Sequence, residues 1–142
     1  MKGAAIALLF LFCGIAYTQD ALSKAVESIS KAKVFAFGGV GYAGRTSQGE
    51  SDFRVIQVQS PAVALQLFEK VFSGGSSEAK SYALAGIRQL DEKRFKELLQ
   101  SLRDSKEMVQ TMDGCNVETH SLVEVAREID SGHYDPWINR RH

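Results

Sequence analysis

Short polar breaks separate segments of helical period between residues 60 and 102, and this pattern constrains the fold more than any other. Ser60-Pro61 combines an N-cap residue with proline at the first helical position, which favours a helix start. The glycine pair at 74–75 is expected to end that helix, Ser76 or Ser77 to cap the next one, and Asp91 to cap a third. The first helix is predicted to bury six apolar residues, Val63, Leu65, Leu67, Phe68, Val71 and Phe72. Because connections this short make neighbouring helices pack antiparallel, the sequence predicts a small bundle of antiparallel helix pairs.

The spacing of apolar residues shortens near residue 108, which indicates strands rather than a helix. Met108–Met112 and Cys115–His120 are predicted to pair as a β-hairpin around Asp113-Gly114, a dipeptide typical of a type I′ turn. Ser121 and Glu124 have the spacing of a capping box for a last helix. The predicted fold class is therefore mainly α, a small helical bundle with one C-terminal β-hairpin as its minor β component.

Two regions before residue 60 also carry local structure. Residues 19–33 have apolar residues at helical spacing, so a helix is predicted there. Ser47 and Glu50 are spaced as a capping box. The segment 53–58 that follows is left open between helix and strand, because Gly49 and several β-branched residues weaken the helical prediction.

The first residues follow the order of a secretory signal peptide. A positive start at Met1-Lys2 precedes the apolar run Ala4–Phe12, and small residues follow up to Ala16. The sequence predicts a signal peptide at 1–18, with cleavage after Ala16 or Thr18, and a secreted or periplasmic location. The apolar run is too short to cross a bilayer, which takes roughly 20 apolar residues. No integral membrane segment is therefore expected after processing.

Cys13 offers an alternative to plain cleavage, a lipid anchor of the bacterial type. Such anchors usually follow small residues, whereas the two residues before Cys13 are bulky, so the anchor is the less favoured alternative. Residues 19–142 are predicted to form a single globular domain, because a chain of this length supports one core rather than two. Within it, the segment 133–142 is left open as a loosely attached tail, although Trp137 is expected to fold back onto the domain.

The charge balance limits the classes of partner. The chain has 17 basic and 17 acidic residues, so its formal net charge is zero. Without a basic excess, neither nucleic acid nor an anionic membrane surface is an expected partner. Another protein is the partner class that remains.

The stretch Gly39-x-Gly41-x-x-Gly44 matches the glycine pattern of a dinucleotide-binding loop. That fingerprint works between a buried strand and a helix whose N-terminus meets the pyrophosphate. Here the glycines are followed by the polar residues 45–50, which have no apolar face to pack on a sheet. We therefore expect the glycines to bend the backbone, and no cofactor is predicted.

Cys115 is the one cysteine that remains after the predicted cleavage, so no internal disulfide is expected. Burial is the favoured state of such a thiol, and a homodimer linked through Cys115 is open but not expected. Cys115 and His120 are the candidate catalytic residues of a thiol enzyme. Five residues of strand would separate them by roughly 16 Å at about 3.3 Å per residue, and on opposite faces, which disfavours a direct pair.

Three histidines, His120, His133 and His142, are available to a metal ion together with nearby acidic residues. No two of them stand four residues apart, and the chain has no Cys-x-x-Cys pair. Spacings of that kind are what zinc sites usually show. No metal site is therefore predicted.

Some stretches resemble short, uncharacterised exported bacterial proteins. The likeness lies in "FAFGGVGYAG", in "YALAGIRQLD" within a helix, and in the Gly114-Cys115 pair before the last helix. It spans most of residues 19–142 and implies one exported domain, but no reaction, ligand or catalytic residue. The helix pair from Ser77 to Leu102 also resembles one unit of a HEAT-type repeat, as a likeness of packing.

A non-catalytic protein-interaction or structural module is the function that we predict. The alternatives are a small exported thiol-dependent hydrolase centred on Cys115 and an inhibitor or immunity-type protein that occupies another protein's site. An enzyme should bring Cys115 and His120 into one pocket, whereas a binding module should show a groove or patch. Tyr134 and Trp137 are the candidate interface residues, because aromatic side chains anchor protein interfaces.

Overall fold

The computed structural model describes residues 18–140. Except for its last residue, the predicted signal peptide 1–18 lies outside the described residues, and so does the alternative lipid anchor at Cys13. The helices are α1 (residues 18–30 of the described part), α2 (Gln48–Gln57), α3 (Pro61–Gly74), α4 (Ser77–Leu90), α5 (Glu92–Ser101), α6 (Leu122–Asp130) and α7 (Asp135–Ile138). The strands are β1 (Gly39–Val40), β2 (Arg45–Thr46), β3 (Met108–Asp113) and β4 (Asn116–Ser121). No helix within residues 18–140 is long and apolar enough to span a membrane.

The predicted fold class is confirmed: the protein is mainly α, with a minor β component of two small antiparallel two-stranded sheets. β3 and β4 form the predicted hairpin, which precedes α6. The β1–β2 sheet was not predicted, because its strands are too short to show a period of two. The segment 53–58 that the sequence left open is the main part of α2.

Helix α4 lies at the centre of the molecule. It packs against α2, α3, α5, α6 and β3, and eight of its residues are buried. A helix that is buried on nearly all sides belongs to the core of a bundle rather than to its surface. Tyr82, Leu84 and Ile87 are its largest fully buried side chains.

The predicted helix starts are confirmed where a side chain caps the backbone. Ser76 Oγ accepts from Ala79 N at 3.1 Å, and Asp91 Oδ1 accepts from Arg94 N at 2.9 Å. At α6 the capping box is complete, because the Ser121 and Glu124 side chains each bond to the other's backbone N–H. Caps of this kind satisfy amide groups that a helix start leaves without partners.

The predicted buried face of α3 is partly wrong. Its buried residues are Ala64, Phe68 and Val71, whereas Val63 is 40% exposed. The predicted Leu65, Leu67 and Phe72 are half-buried. The buried residues stand at i, i+4 and i+7, a narrow stripe that faces α4. The run of apolar residues around this stripe concealed which of them faces the core.

The hairpin turn is one residue out of the predicted register. Asp113 pairs with Asn116, so the loop residues are Gly114 and Cys115 rather than Asp113 and Gly114. Gly114 has φ of 56°, and no non-glycine residue within 18–140 has positive φ. Positive φ at the first loop residue alone belongs to a type II′ turn, which requires glycine there. The turn is thus built around one left-handed residue instead of two.

The glycine-rich stretch runs beside β3 before it turns back. Phe35 N donates to Gln110 O at 2.7 Å, and Gly41 N donates to Gly114 O at 2.7 Å. β3 therefore lies between residues 35–41 and β4, which leaves β4 on the outside. Beyond residue 40 the chain bends into β2, with positive φ at Gly41 and Gly44. The prediction that these glycines bend the backbone is confirmed.

Candidate functional site

A cleft of about 220 Å³ lies between the β3–β4 hairpin and the junction of α6 with α7. Its base is the floor segment (residues 35–38), whose first three residues line it. These elements are distant in sequence and meet because the hairpin, the floor segment and α6 all pack around α4 or its neighbours. The cleft is the place where titratable and aromatic side chains converge.

One face of the hairpin supplies the polar wall of the cleft. Thr111 pairs with Glu118, and the next pair towards the turn on the same face is Asp113 with Asn116. His120 shares this face, because alternate residues of a strand point to the same side. Glu118 is held from both sides: Asn116 Nδ2 donates to its Oε1 at 2.7 Å, and His120 Nε2 lies 3.0 Å from its Oε2.

Aromatic rings form the other walls. The rings of Phe35 and Tyr134 are 5.0 Å apart, and those of Phe37 and Tyr134 are 6.1 Å apart. Next to them His133 lies 6.2 Å from the ring of Trp137. The Phe35–Tyr134 pair packs edge-to-face and the other two pairs are tilted. Edge-to-face packing adds to the energy of burial. Tyr134 and Trp137, which the sequence indicated as interface residues, are both half-buried and both line the cleft.

The carboxylates give the cleft a negative potential. Tyr134 Oη donates to Glu128 Oε2 at 2.9 Å. Burial, this hydrogen bond and the charges of Glu128 and Asp113 all raise the pKa of Tyr134 above its usual value. With Glu118, three carboxyl groups surround the cleft, and no lysine or arginine of residues 18–140 lines it.

A buried ion pair behind the cleft positions its aromatic wall. Glu50 and Arg54, which we call the clamp, are 3.0 Å apart at Oε1 and Nη2. Arg54 donates to Trp137 O and to Ile138 O, both at 2.6 Å, and Glu50 Oε2 accepts from Gly38 N at 2.9 Å. The clamp thus binds the backbones of the floor segment and of α7 to one helix, α2. Glu50 is used here rather than in the reciprocal bond of the predicted capping box.

Gly38 allows the ring of Trp137 to approach the floor segment. Its φ of 92° is a conformation that other residues rarely adopt, and a Cβ there would lie 2.7 Å from Trp137 Nε1. The glycine is therefore required both by the backbone and by the neighbouring ring.

The floor segment is also fixed from the interior. The hydroxyl of Tyr82 accepts from Ala36 N and donates to Ala36 O, each at 2.9 Å. Burial raises the pKa of Tyr82 to about 12. This hydroxyl therefore remains protonated at neutral pH and holds both polar groups of a backbone unit that lies away from water.

The C-terminal segment is docked as far as Asn139. Ile138 is 2% exposed, Arg88 Nη1 lies 2.7 Å from Asp135 Oδ1, and Gln89 donates to Asn139 at 2.9 Å. Together with the clamp, these contacts hold residues 135–139 against α2 and α4, where the sequence left a loosely attached tail open. Residues 141–142 lie outside the described part.

The structure does not bring Cys115 and His120 together. Cys115 is exposed, so the prediction of burial is wrong. It occupies the second loop position of the turn, outside the paired residues of both strands. β4 pairs residue by residue without a bulge, so the extended separation of roughly 16 Å at about 3.3 Å per residue still applies. The nearest partner of His120 is Glu118.

Two other motifs have a defined geometry in the structure. Gly44 is followed by β2 rather than by a helix, so the described loop does not present a helix N-terminus after the third glycine. Among residues 18–140, no group of three or more His, Cys, Asp or Glu side chains is arranged to hold a metal ion.

Several residues of the cleft could not be found from the sequence. The shared face of Asn116, Glu118 and His120 follows from strand period and was available as a signal. Glu128 and the floor segment reach the cleft only through the docking of α6 and α7.

Comparisons of the chain with protein-family models, with curated proteins and with solved structures found no match.

Proposed function

We propose that this chain is a non-catalytic protein-interaction module whose cleft binds a cationic side chain of a partner protein. One observation carries the proposal: Asp113, Glu118 and Glu128 surround a cavity with aromatic walls, and no lysine or arginine of the described residues lines it. The cleft therefore combines the two features that attract an organic cation.

Carboxylates and aromatic rings act together on such a ligand. A cation over an aromatic face gains about 0.5–1 kcal/mol at exposed sites and about 2 kcal/mol when water is excluded. Carboxylates in a recess act more strongly than on an open surface, because the low-dielectric walls focus their field. The carboxylates that would attract the cation also contribute to the raised pKa of Tyr134, because the negative charges of Glu128 and Asp113 oppose a phenolate there.

The size of the cleft favours one side chain rather than a cofactor. Sites for drug-sized molecules usually enclose about 300–1,000 Å³, and this cavity has about 220 Å³. An arginine guanidinium or a lysine ammonium with its alkyl stem is a group of suitable size and charge. Arginine is the stronger candidate, because its planar group can stack on a ring and bond to two carboxylates.

The side chains around the cleft support a binding role more than a catalytic one. Its hydroxyl groups are those of Thr111 and Tyr134, and the raised pKa of Tyr134 disfavours the phenolate that a nucleophile or base would need. Cys115 does not line the cleft. Glu118 and Glu128 each accept a hydrogen bond that holds the carboxylate in place, as an electrostatic binding site requires.

Trp137 is the single tryptophan of the chain and lines the cleft, so its fluorescence can report binding directly. We would titrate the protein with Nα-acetyl-arginine amide and, in parallel, with Nα-acetyl-citrulline amide, a neutral compound of nearly the same shape. A saturable change with the arginine compound alone is expected, and it should weaken as salt is added. An equal response to both compounds, or none to either, would contradict the proposal.

Two matched variants locate the binding. Glu118→Gln removes a carboxylate from the cleft without changing its size, and we expect a several-fold loss of affinity. Glu92→Gln removes the same charge from the first turn of α5 and should leave the affinity within about twofold, because Glu92 does not line the cleft and salt screens charges at a distance. Equal losses in the two variants would mean that net charge, not the cleft, attracts the ligand.

A further inference from the structure

The outer edge of β4 offers unpaired main-chain groups. Gln110 O accepts from Phe35 N, and Met112 N donates to Phe35 O, so these two β3 residues direct their backbone groups away from β4. Their partners across the hairpin are Thr119 and Val117. In an antiparallel ladder both members of such a pair point outward. Thr119 and Val117 thus present their N–H and C=O groups on the free side of β4.

This edge is open, whereas the opposite edge of the same sheet is not. Residues 116–119 are all exposed, while Phe35 and Ala36 on the other side of β3 are each 1% exposed. β4 has six residues and contains no proline, lysine or bulge, three of the features that protect an edge strand from pairing. An extended chain can therefore add to the sheet along β4 alone.

The two faces of the edge differ in chemistry. Glu118 and His120 lie on the cleft face. Val117, which is 53% exposed, lies on the other face opposite Met112. A strand added along β4 would alternate in the same way. Every second side chain would lie beside the carboxylates, and the residues between them would lie beside Val117.

We propose that a partner protein binds by adding an extended segment as a further strand along the outer edge of β4, with a basic residue opposite Glu118 that enters the cleft. The inference rests on the proposed function of the cleft and adds the mode of binding and the sequence pattern of the ligand. Main-chain bonds to Val117 and Thr119 supply affinity, and the cleft supplies the requirement for alternating basic residues.

Charge complementarity favours this occupant over a second copy of the chain that pairs about Glu118. A symmetric pairing of two β4 strands about Glu118 would place this carboxylate directly opposite its copy, and like charges at such positions are destabilising. A basic segment makes the favourable contact at the same position. The open edge of β4 and the carboxylate-lined cleft would then bind the same ligand.

Backbone methylation of a peptide tests the inference on the unaltered protein. The probe is an acetylated hexapeptide amide of alternating threonine and arginine, read by Trp137 fluorescence. Two isomers carry N-methyl groups on either every threonine or every arginine. In an antiparallel addition the threonine N–H groups face β4 and the arginine N–H groups face away. We expect the threonine-methylated peptide to bind roughly tenfold more weakly than its isomer, since it loses main-chain donors.

The outcomes separate the two proposals. A tenfold loss on arginine methylation instead would support strand addition in the parallel direction. Equal affinity of the two isomers, with Nα-acetyl-arginine amide still bound, would overturn strand addition and leave the cation site standing. Loss of every response, including that to the single amino-acid amide, would overturn both proposals.

A protein variant provides an independent check. Because the N–H of Thr119 points away from β3, Thr119→Pro removes an outward donor and leaves the hairpin ladder complete. With its fold verified by circular dichroism, it should bind the unmethylated peptide roughly tenfold more weakly than Thr119→Val, which retains the donor. Equal binding of the peptide by the two variants would contradict main-chain bonding along the outer edge of β4. Sedimentation equilibrium without peptide tests whether a second copy of the chain binds along β4 instead. Self-association that Thr119→Pro abolishes would show that the edge pairs with a second copy and would overturn the partner segment.

Discussion

The floor segment separates two polar regions that use carboxylates in opposite ways. On its interior side Glu50 is 5% exposed and is matched by Arg54 and by Gly38 N. On its cleft side Glu118 and Glu128 accept hydrogen bonds from uncharged groups or from His120, and no arginine or lysine of the described residues lines the cleft. The same segment thus has a neutralised region on one side and an uncompensated one on the other.

The difference follows from the access of water. A buried carboxylate loses several kcal/mol of hydration, roughly what an ion pair with good hydrogen bonds must return. Glu50 therefore needs Arg54 for the fold to form. Glu118 is exposed and stays hydrated, so the fold does not require a partner for it. A compensated charge here stabilises the structure, whereas the uncompensated carboxylates of the cleft are the groups that the proposed ligand would contact.

Removing the positive charge of Arg54 from the clamp should cause the largest loss of stability. Arg54→Met leaves Glu50 buried without its counter-charge and removes one hydrogen bond from each of two carbonyl groups of α7, so we expect a loss of about 3–5 kcal/mol in the free energy of unfolding. Urea denaturation measures it. Arg94→Met is the control, because the Arg94 side chain is 42% exposed and bonds to Glu69 and Glu97. Such a pair contributes about 0–1 kcal/mol, and similar losses in both variants would remove the distinction between the regions.

Alkaline pH should weaken the interior side through Tyr82. Its pKa is raised from 10.0 to about 12 in the folded protein, so the folded state holds this proton more tightly than the unfolded state. The stabilisation is complete below pH 10 and is lost as the pH rises to about 12, by about 3 kcal/mol. Unfolding curves across this range measure the loss. Tyr82→Phe should remove about half of this slope, because the pKa of Tyr134 is raised as well and its titration accounts for the rest. An unchanged slope would contradict the assignment.

Gly38 joins the two regions, and its replacement should affect both. Gly38→Ala introduces backbone strain that costs about 1–3 kcal/mol, and its methyl group pushes the Trp137 ring away from the floor segment. We expect lower stability and a shift in Trp137 emission. Gly44→Ala has a comparable φ of 59° but open space around its Cβ. It should cost about 1–2 kcal/mol and leave the emission unchanged. A shift in both variants would show that Trp137 senses general strain rather than contact at Gly38.

The smallest effect on stability is expected on the cleft side. Glu118→Gln keeps the shape of an exposed side chain, so the free energy of unfolding should change by less than about 0.5 kcal/mol. Thermal or urea unfolding at neutral pH measures it. A loss above about 1 kcal/mol would mean that this carboxylate stabilises the hairpin, and the contrast with Glu50 would then disappear.

Local signals in the sequence located most of the helices. Ser76, Asp91 and Ser121 cap helices in the structure because a capping bond involves only residues within one turn. The β3–β4 hairpin was predicted for the same reason, since strand period and a glycine turn are local properties. Even its error was small: Asp113-Gly114 and Gly114-Cys115 both place a glycine in the turn, and the pairing of whole strands decides between them.

Contacts between distant residues decided the rest. Val63 and Ala64 are both apolar, and only the position of α4 shows that Ala64 faces the core. Cys115 is exposed because the turn projects from the sheet, a position that its residue type does not reveal.

The sequence by itself determined the mainly α class, helices α1 and α3 to α6 and the hairpin, because caps, periods and turns depend on neighbouring residues. The tertiary structure alone decided the cleft. It combines Glu118 from a strand, Glu128 from a helix and aromatic rings from residues about 100 positions apart. The same packing gave Glu50 a buried partner and left β4 with an open edge. Both outcomes depend on which surfaces exclude water, and the pattern of neighbouring residues in the sequence does not predict that.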